Sequence, residues 1–334
     1  MSKSQRIGQL FMVGASSTGP DQRALAAVAG RDVGSVFLMG TSQLSAPQVA
    51  ALVAPFQAAA GTTRLFVATD QEGGSVQRLQ GPGFSSIPSA LDQGRLPASA
   101  LQQQAQAWAA QLATAGVNLN LAPVLDTVPN ASFAPNNPPI GALDREFGFD
   151  PAQVGVAGSA VVRGYEAAGV DATIKHFPGL GRVTGNTDTS AHVVDNDTTA
   201  TDAALAPFQA AIEAGAPFVM MSLAVYARID ASTPAAFSSV VIGTMLRKTL
   251  GFQGVVISDD LGATAEVRAI PPGQRALEFI AAGGDMVLTV DAGLIPEMVA
   301  AVSARTQSDP VFAAQVDAAA LRVLQAKQAR GLLG

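Results

Sequence analysis

Apolar residues along this chain fall into short dense blocks, not into an alternating pattern. Eight blocks end in polar or glycine-rich segments: QLFMVGA (9–15), GSVFLMG (34–40), RLFVATD (64–70), VNLNLAPVLD (117–126), DATIKHF (171–177), FVMMSL (218–223), GVVISDD (254–260) and DMVLTVD (285–291). Near-continuous apolar runs of strand length suit a parallel sheet covered on both faces, because neither face meets water. Between them lie Ala-rich stretches of helical character, among them PQVAALVAPFQAAAG, PASALQQQAQAWAAQLATAG, DPAQVGVAGSAVVRGYEAAG, DAALAPFQAAIEAGA and PGQRALEFIAAGG. Several close on glycine, the residue favoured just past a helix C-terminus. Strand and helix therefore alternate, which predicts an α/β fold: a (β/α)₈ TIM-type barrel forming a single domain over 1–334, where about 250 residues typically suffice. The surplus is assigned to long loops near 127–150 and 178–200 and a C-terminal helix near 310–331. A doubly wound open sheet is the alternative, but no GxGxxG follows the first strand.

A barrel places functional residues at the C-terminal ends of its strands. Those ends carry Asp70, Asp126, Lys175 with His176, Ser222, Asp259 with Asp260, and Asp291, whereas the N-terminal ends are mostly apolar or glycine. The pattern predicts a functional cleft. Structural roles compete for individual residues. Asp126 and Asp291 could cap the segments after them by accepting backbone N–H bonds. Glu72 and Arg78 could form an ion pair, and the glycine pair after Glu72 permits a tight turn or close approach to a ligand. Lys175 and His176 are adjacent, so on a regular strand they face opposite ways and both reach a cleft only through a twist or bulge. His176 also fits a hydrogen-bonded core histidine. In ISDDLGA, if Asp259 faces the mouth then Asp260 faces away and caps the next stretch of chain. A carboxylate at the rim of a water-poor pocket can serve as nucleophile or electrostatic stabiliser.

Composition narrows the partners. Hydrophobic residues make up 48% and charged residues 14%, enough apolar material for a large core. The formal net charge of −6 and the lack of a dense Lys/Arg cluster argue against nucleic acid. The absence of cysteine excludes disulfides and thiolate chemistry. The two histidines lack HExxH spacing and no EF-hand pattern occurs, so no metal is expected. No segment reads as a membrane span. MSKSQRIGQLFMVG lacks a signal peptide's apolar run, which fits a cytoplasmic protein or a mature secreted form with an added start methionine.

The segments GQLFMVG, DQEGGSVQRL, NLNLAPVLD, DREFGFDP, KHFPGLG, VMMS, PAAFS and GFQGVVISDDLGA together resemble glycoside hydrolase family 3, specifically its single-barrel β-N-acetylglucosaminidase branch. They run in family order from about residue 7 to residue 265, and KHFPGLG with SDDLGA at this separation is the specific part. The resemblance implies that Asp259 is a catalytic nucleophile forming a covalent glycosyl-enzyme with retention. It implies that Asp70, Arg78, Arg145, Lys175 and His176 hold the sugar, and that Met221 and Ser222 line the pocket near the nucleophile. It implies a small carbohydrate substrate, from cell-wall or chitin-type oligosaccharides, a monomer, and no cofactor. One loop departs from the branch, which carries Asp-Ser-His after KHFPGxG as its acid/base dyad. Here those positions are Asn186, Thr187 and Asp188, and a histidine comes four residues later as His192. Three readings stand open: Asp188 is the general acid/base, Asp188 orients His192 in a rebuilt dyad, or the acid is lost. The first two are chemically equivalent, since a carboxyl of raised pKa or an imidazole can protonate a leaving oxygen. β-Glucosidase, glycoside phosphorylase and a non-catalytic carbohydrate-binding barrel are the alternatives.

Overall fold

A computed structural model describes residues 1–334. Eight parallel strands occur in chain order: β1 (Phe11–Ser16), β2 (Ser35–Met39), β3 (Phe66–Thr69), β4 (Leu119–Asn120), β5 (Asp171–Phe177), β6 (Phe218–Met221), β7 (Val255–Ser258) and β8 (Val287–Thr289). Each of β1 to β7 pairs with its neighbour in sequence, and β8 pairs back with β1. The seam between β7 and β8 is drawn together by the bridge Ile257–Met286 and by the Leu261 N–H, which donates to the Leu288 carbonyl at 2.9 Å. The fold is the (β/α)₈ barrel that the strand pattern predicts.

The inside and outside of the barrel separate by strand parity. Phe66 and Ala68 of β3, Phe218 and Met220 of β6, and Val255 and Ile257 of β7 belong to the interior cluster. Their alternates Val67, Val219, Met221 and Val256 pack outward into the layer shared with the helices. Continuing the inward set past the strand ends brings Asp70 after Ala68 and Asp259 after Ile257 to the barrel mouth. At the opposite end Lys327 of the last helix (Pro310–Ala329) is fully buried. It donates to Gln9 Oε1 at 2.6 Å and to the Gly34 carbonyl at 2.7 Å.

Two elements differ from the sequence reading. The fourth strand, read as 117–126, forms a regular ladder only at Leu119–Asn120. Pro123 has no N–H to give, and pairing resumes as a bridge between Val124 and Lys175. A helical segment at Val240–Thr249, ending with a Leu250 N–H bond to the Met245 carbonyl, escaped the reading. Its β-branched start (VVIGT) carries a weak helical signal.

The two long loops are fastened to each other. Asn137 Nδ2 donates to the carbonyls of Leu180 and Val183 at 2.8 and 2.7 Å. Gly181 lies so close to the other loop that an added Cβ would meet the Thr127 carbonyl oxygen at 2.0 Å. Glu146, in the first loop, is fully buried with neither carboxylate oxygen hydrogen-bonded. Burial pushes its carboxyl up to about 7, and Asp144 adds to the shift. The folded state thus keeps a proton that the unfolded chain releases near 4.5, so stability falls as pH rises from about 4.5 to about 7. Glu146→Gln should therefore be more stable than the parent at pH 8, by about 1–3 kcal/mol, and equal to it near pH 4. Denaturant unfolding at both pH values checks this, and no gain at pH 8 would contradict it.

Candidate active site

The strand ends surround a cavity of about 360 Å³ at the C-terminal mouth. Its lining mixes polar residues, Asp70, Arg78, Arg145, Lys175 and His176, with apolar ones, Phe37, Leu121, Met220, Leu288 and Val290. Asp188 and Asp259 also line it.

Lys175 anchors a buried cluster of charges. Its ammonium lies 2.8 Å from Asp70 Oδ1 and 2.6 Å from Glu72 Oε1, and its side chain is only 3% exposed. Glu72 in turn accepts a bidentate pair from Arg145, Nε to Oε2 and Nη2 to Oε1, both at 2.8 Å. Arg145 Nη1 donates to the Pro139 carbonyl at 2.7 Å, which fixes the guanidinium plane. Burial alone would push the Glu72 carboxyl up, but Arg145 and Lys175 outweigh it and hold the group far below the usual carboxylate range. The partners of Glu72 are therefore Arg145 and Lys175, where the sequence suggested Arg78. The Arg78 guanidinium lines the cavity with no ion-pair partner in the protein.

His176 shares the cavity with Lys175 although the two are adjacent. The peptide between them is cis, and the β5–β6 register shifts between Ile174 and Phe177. This is the irregularity that parity required. Asp126 does not cap the segment directly after it; it serves His176 and the start of the 178–200 loop. Its Oδ2 lies 2.7 Å from His176 Nδ1, while Oδ1 accepts the N–H groups of His176 (3.1 Å) and Leu180 (2.7 Å). A carboxylate at Nδ1 fixes the proton there and leaves Nε2 as the free face of the ring. Asp291 does cap, accepting the Gly293 N–H at 2.8 Å.

Asp259 comes directly after β7. Its Oδ1 accepts the Asp260 N–H at 2.8 Å. Burial raises its pKa to about 6; His176 opposes the shift and Asp188 adds to it. Asp260, also on the cavity lining, is held by the backbone, accepting the N–H groups of Gly262, Ala263 and Val290 at 2.8, 2.7 and 2.9 Å. Asp188 is exposed on the rim, and its side chain has no ion-pair partner. His192, also exposed, has φ of 60° and is absent from the cavity lining; the next residue, Val193, donates its N–H to Glu266 Oε2 at 2.9 Å. The rebuilt Asp188–His192 dyad has no hydrogen bond to support it. Met221 and Ser222 are also off the cavity. Parity turns Met221 outward, so Met220 lines the wall, and the buried Ser222 hydroxyl accepts the Ala224 N–H at 3.0 Å. Asn186 and Met220 lie on the lining without having been singled out in the sequence as cavity residues. Met220 could have been found by counting strand alternation from Phe218.

Removing one member of the buried charge cluster leaves its partners uncompensated. Glu72→Gln should destabilise the fold by about 3–5 kcal/mol. Chemical denaturation measures this, and a loss under about 1 kcal/mol would be the contrary result.

The family model for the glycosyl hydrolase family 3 N-terminal domain matches residues 3–326. A β-hexosaminidase of Xanthomonas campestris pv. campestris (strain B100) is 39% identical over 285 residues, covering 82% of each chain. The β-hexosaminidase of Stenotrophomonas maltophilia (strain R551-3) is 38% identical over 285 residues, 82% of this chain and 81% of that one. The crystal structure of a β-N-acetylhexosaminidase from Beutenbergia cavernae DSM 12333 superposes with a TM-score of 0.97 at 52% identity, covering 98% of this chain and 99% of that one. A family 3 β-N-acetylglucosaminidase from Paenibacillus sp. str. FPU-7 gives 0.91 at 30% identity, covering 99% of this chain and 63% of that one. With the barrel, the polar mouth and these relatives in agreement, the chain belongs to glycoside hydrolase family 3 and is a glycosidase.

Proposed function

We propose that this glycosidase is a retaining β-N-acetylhexosaminidase that releases terminal β-linked N-acetylglucosamine, with Asp259 as nucleophile and Asp188 as acid/base. The observation that carries the assignment is that Asp188 and Asp259 face one cavity, while His192 lies away from it. The sugar assignment leans on the relatives, which are named for hexosaminides and acetylglucosaminides.

Asp70, Arg78, Arg145, Lys175 and His176 bind and orient the sugar ring through its hydroxyls. The apolar lining residues Phe37, Leu288 and Val290 receive the carbon face of the ring and the acetyl methyl. Asp259 attacks the anomeric carbon from one face as the bond to the leaving oxygen breaks, and Asp188 gives that oxygen its proton. Water then attacks the glycosyl-enzyme, loses a proton to Asp188, and frees Asp259. Two inversions at one carbon give net retention. A carboxylate acid/base disfavours phosphate as acceptor by charge repulsion, which supports hydrolysis over phosphorolysis.

Asp259 must be ionised to attack. With its pKa raised to about 6, the acid limb of kcat/KM should fall as pH drops through that value, because Asp259 takes up a proton. A panel of nitrophenyl β-N-acetylglucosaminide, β-glucoside and β-xyloside, each with and without phosphate, tests the function. Turnover of the acetylated sugar, indifferent to phosphate, is the expected result. Preference for the glucoside, or dependence on phosphate, would overturn it. Among variants, Asp259→Ala should lose turnover, Asp188→Ala should lose about 10²–10⁴-fold on a poor leaving group, and His192→Ala should stay within about twofold of the parent.

A further inference from the structure

Asp188 is exposed on its loop, between the buried Thr187 and Val193, so its distance from Asp259 depends on how that loop is fastened. The main chain around it is held locally by Asn186, whose Oδ1 accepts the Asp188 N–H at 2.9 Å. Further ties run to the segment just past the nucleophile. The Ala265 N–H donates to the Asp188 carbonyl at 3.2 Å, and the Glu266 N–H donates to the Thr187 carbonyl at 3.1 Å. Glu266 Oε2 then accepts the Val193 N–H at 2.9 Å, fastening the far end of the same loop.

That segment is itself rigidly built. Asp260 anchors its start to the end of β8 through the Val290 N–H at 2.9 Å. Arg275, buried beneath it, donates to the carbonyls of Leu261 (2.6 Å), Gly262 (3.0 Å), Arg268 (3.2 Å) and Ile270 (2.7 Å). One stretch of chain thus carries Asp259 at its first residue and grips the Asp188 loop a few residues later. Most of the grip is main chain to main chain and available to any sequence. The Glu266 carboxylate is the side-chain contribution, and it spans from residue 266 to residue 193.

We infer that Glu266 is a positioning residue for the acid/base step, clasping the loop so that Asp188 is held over the leaving group. The inference rests on the reading of Asp188 as acid/base. Misplacing a catalytic group by about 1 Å can cost up to about 10²-fold, whereas the nucleophile, fixed by β7, is untouched by the clasp. A glutamine keeps an acceptor oxygen at the same reach, so it preserves the clasp.

The test compares kcat/KM, which reports the first bond-breaking step, for dinitrophenyl and phenyl β-N-acetylglucosaminides in the full-length protein. The first leaving group needs almost no protonation and the second needs it fully. Asp188→Ala is the reference and should lose the phenyl substrate selectively. Glu266→Ala should show the same selectivity at smaller size, about tenfold on the phenyl substrate and under about twofold on the dinitrophenyl one, with Glu266→Gln close to the parent. Glu266→Asp, too short to reach Val193, stands in if the alanine variant does not fold. If Asp188→Ala is selective but the Glu266 variants lower both substrates equally or neither, the clasp is overturned and the acid/base reading survives. If Glu266→Gln fails alongside Glu266→Ala, the acceptor role is overturned. If Asp188→Ala is itself unselective, both readings fall together.

Discussion

The arrangement at the barrel mouth depends on one buried cation. Lys175 extends from β5 into the interior, and its ammonium would be prohibitively costly there without anionic partners. Asp70 at the end of β3 and Glu72 just beyond it supply two, and Arg145 from the 127–150 loop closes the cluster on Glu72. Two positive and two negative groups at close range satisfy one another, so Lys175 holds its proton more tightly than a lysine in water: burial alone would depress its pKa, and Asp70 and Glu72 more than reverse that. Because the members come from β3, β5 and a long loop, the cluster also fixes how those parts meet. Its donors are thus oriented before any ligand arrives, the condition under which fixed charges work best in a site shielded from water.

The same weighing of charge separates roles among the acidic residues. Asp70 and Glu72 are neutralised by Lys175 and Arg145, and Asp126 is committed to His176. Asp260 is occupied by three backbone N–H groups. Asp259 and Asp188 remain without a cationic side-chain partner. They are also the two carboxylates proposed to make and break bonds, and each is free to change its interactions as charge moves. The environment of Asp259 pulls in both directions, and burial prevails over His176 and Lys175. Its carboxylate is therefore less comfortable than one in water, which favours attack on an electrophilic carbon.

The barrel was legible because a parallel sheet buried on both faces leaves an unmistakable mark, the dense apolar block. The blocks ended where Asp70, Lys175, His176 and Asp259 now stand. Reading failed where long-range partners decide. Nothing local tells that Asp126 belongs to His176, or that Glu72 prefers an arginine seventy-three residues away over the nearby Arg78. Met221 was carried over by motif, and simple alternation from Phe218 would have replaced it with Met220. The substituted loop was the hardest case. Sequence left Asp188 and His192 both open as acids, because the choice depends on which side chain a loop turns toward the cavity.

The most direct test of the account is mass spectrometry of the Asp188→Ala protein after reaction with an activated aryl β-N-acetylglucosaminide. The first step needs little acid with such a leaving group, while the second needs Asp188 to deprotonate water, so the glycosyl-enzyme should accumulate. Peptide mapping should place one N-acetylglucosaminyl group on Asp259. An adduct on any other residue would contradict the nucleophile assignment, and turnover as fast as the parent with no adduct would contradict the acid/base assignment.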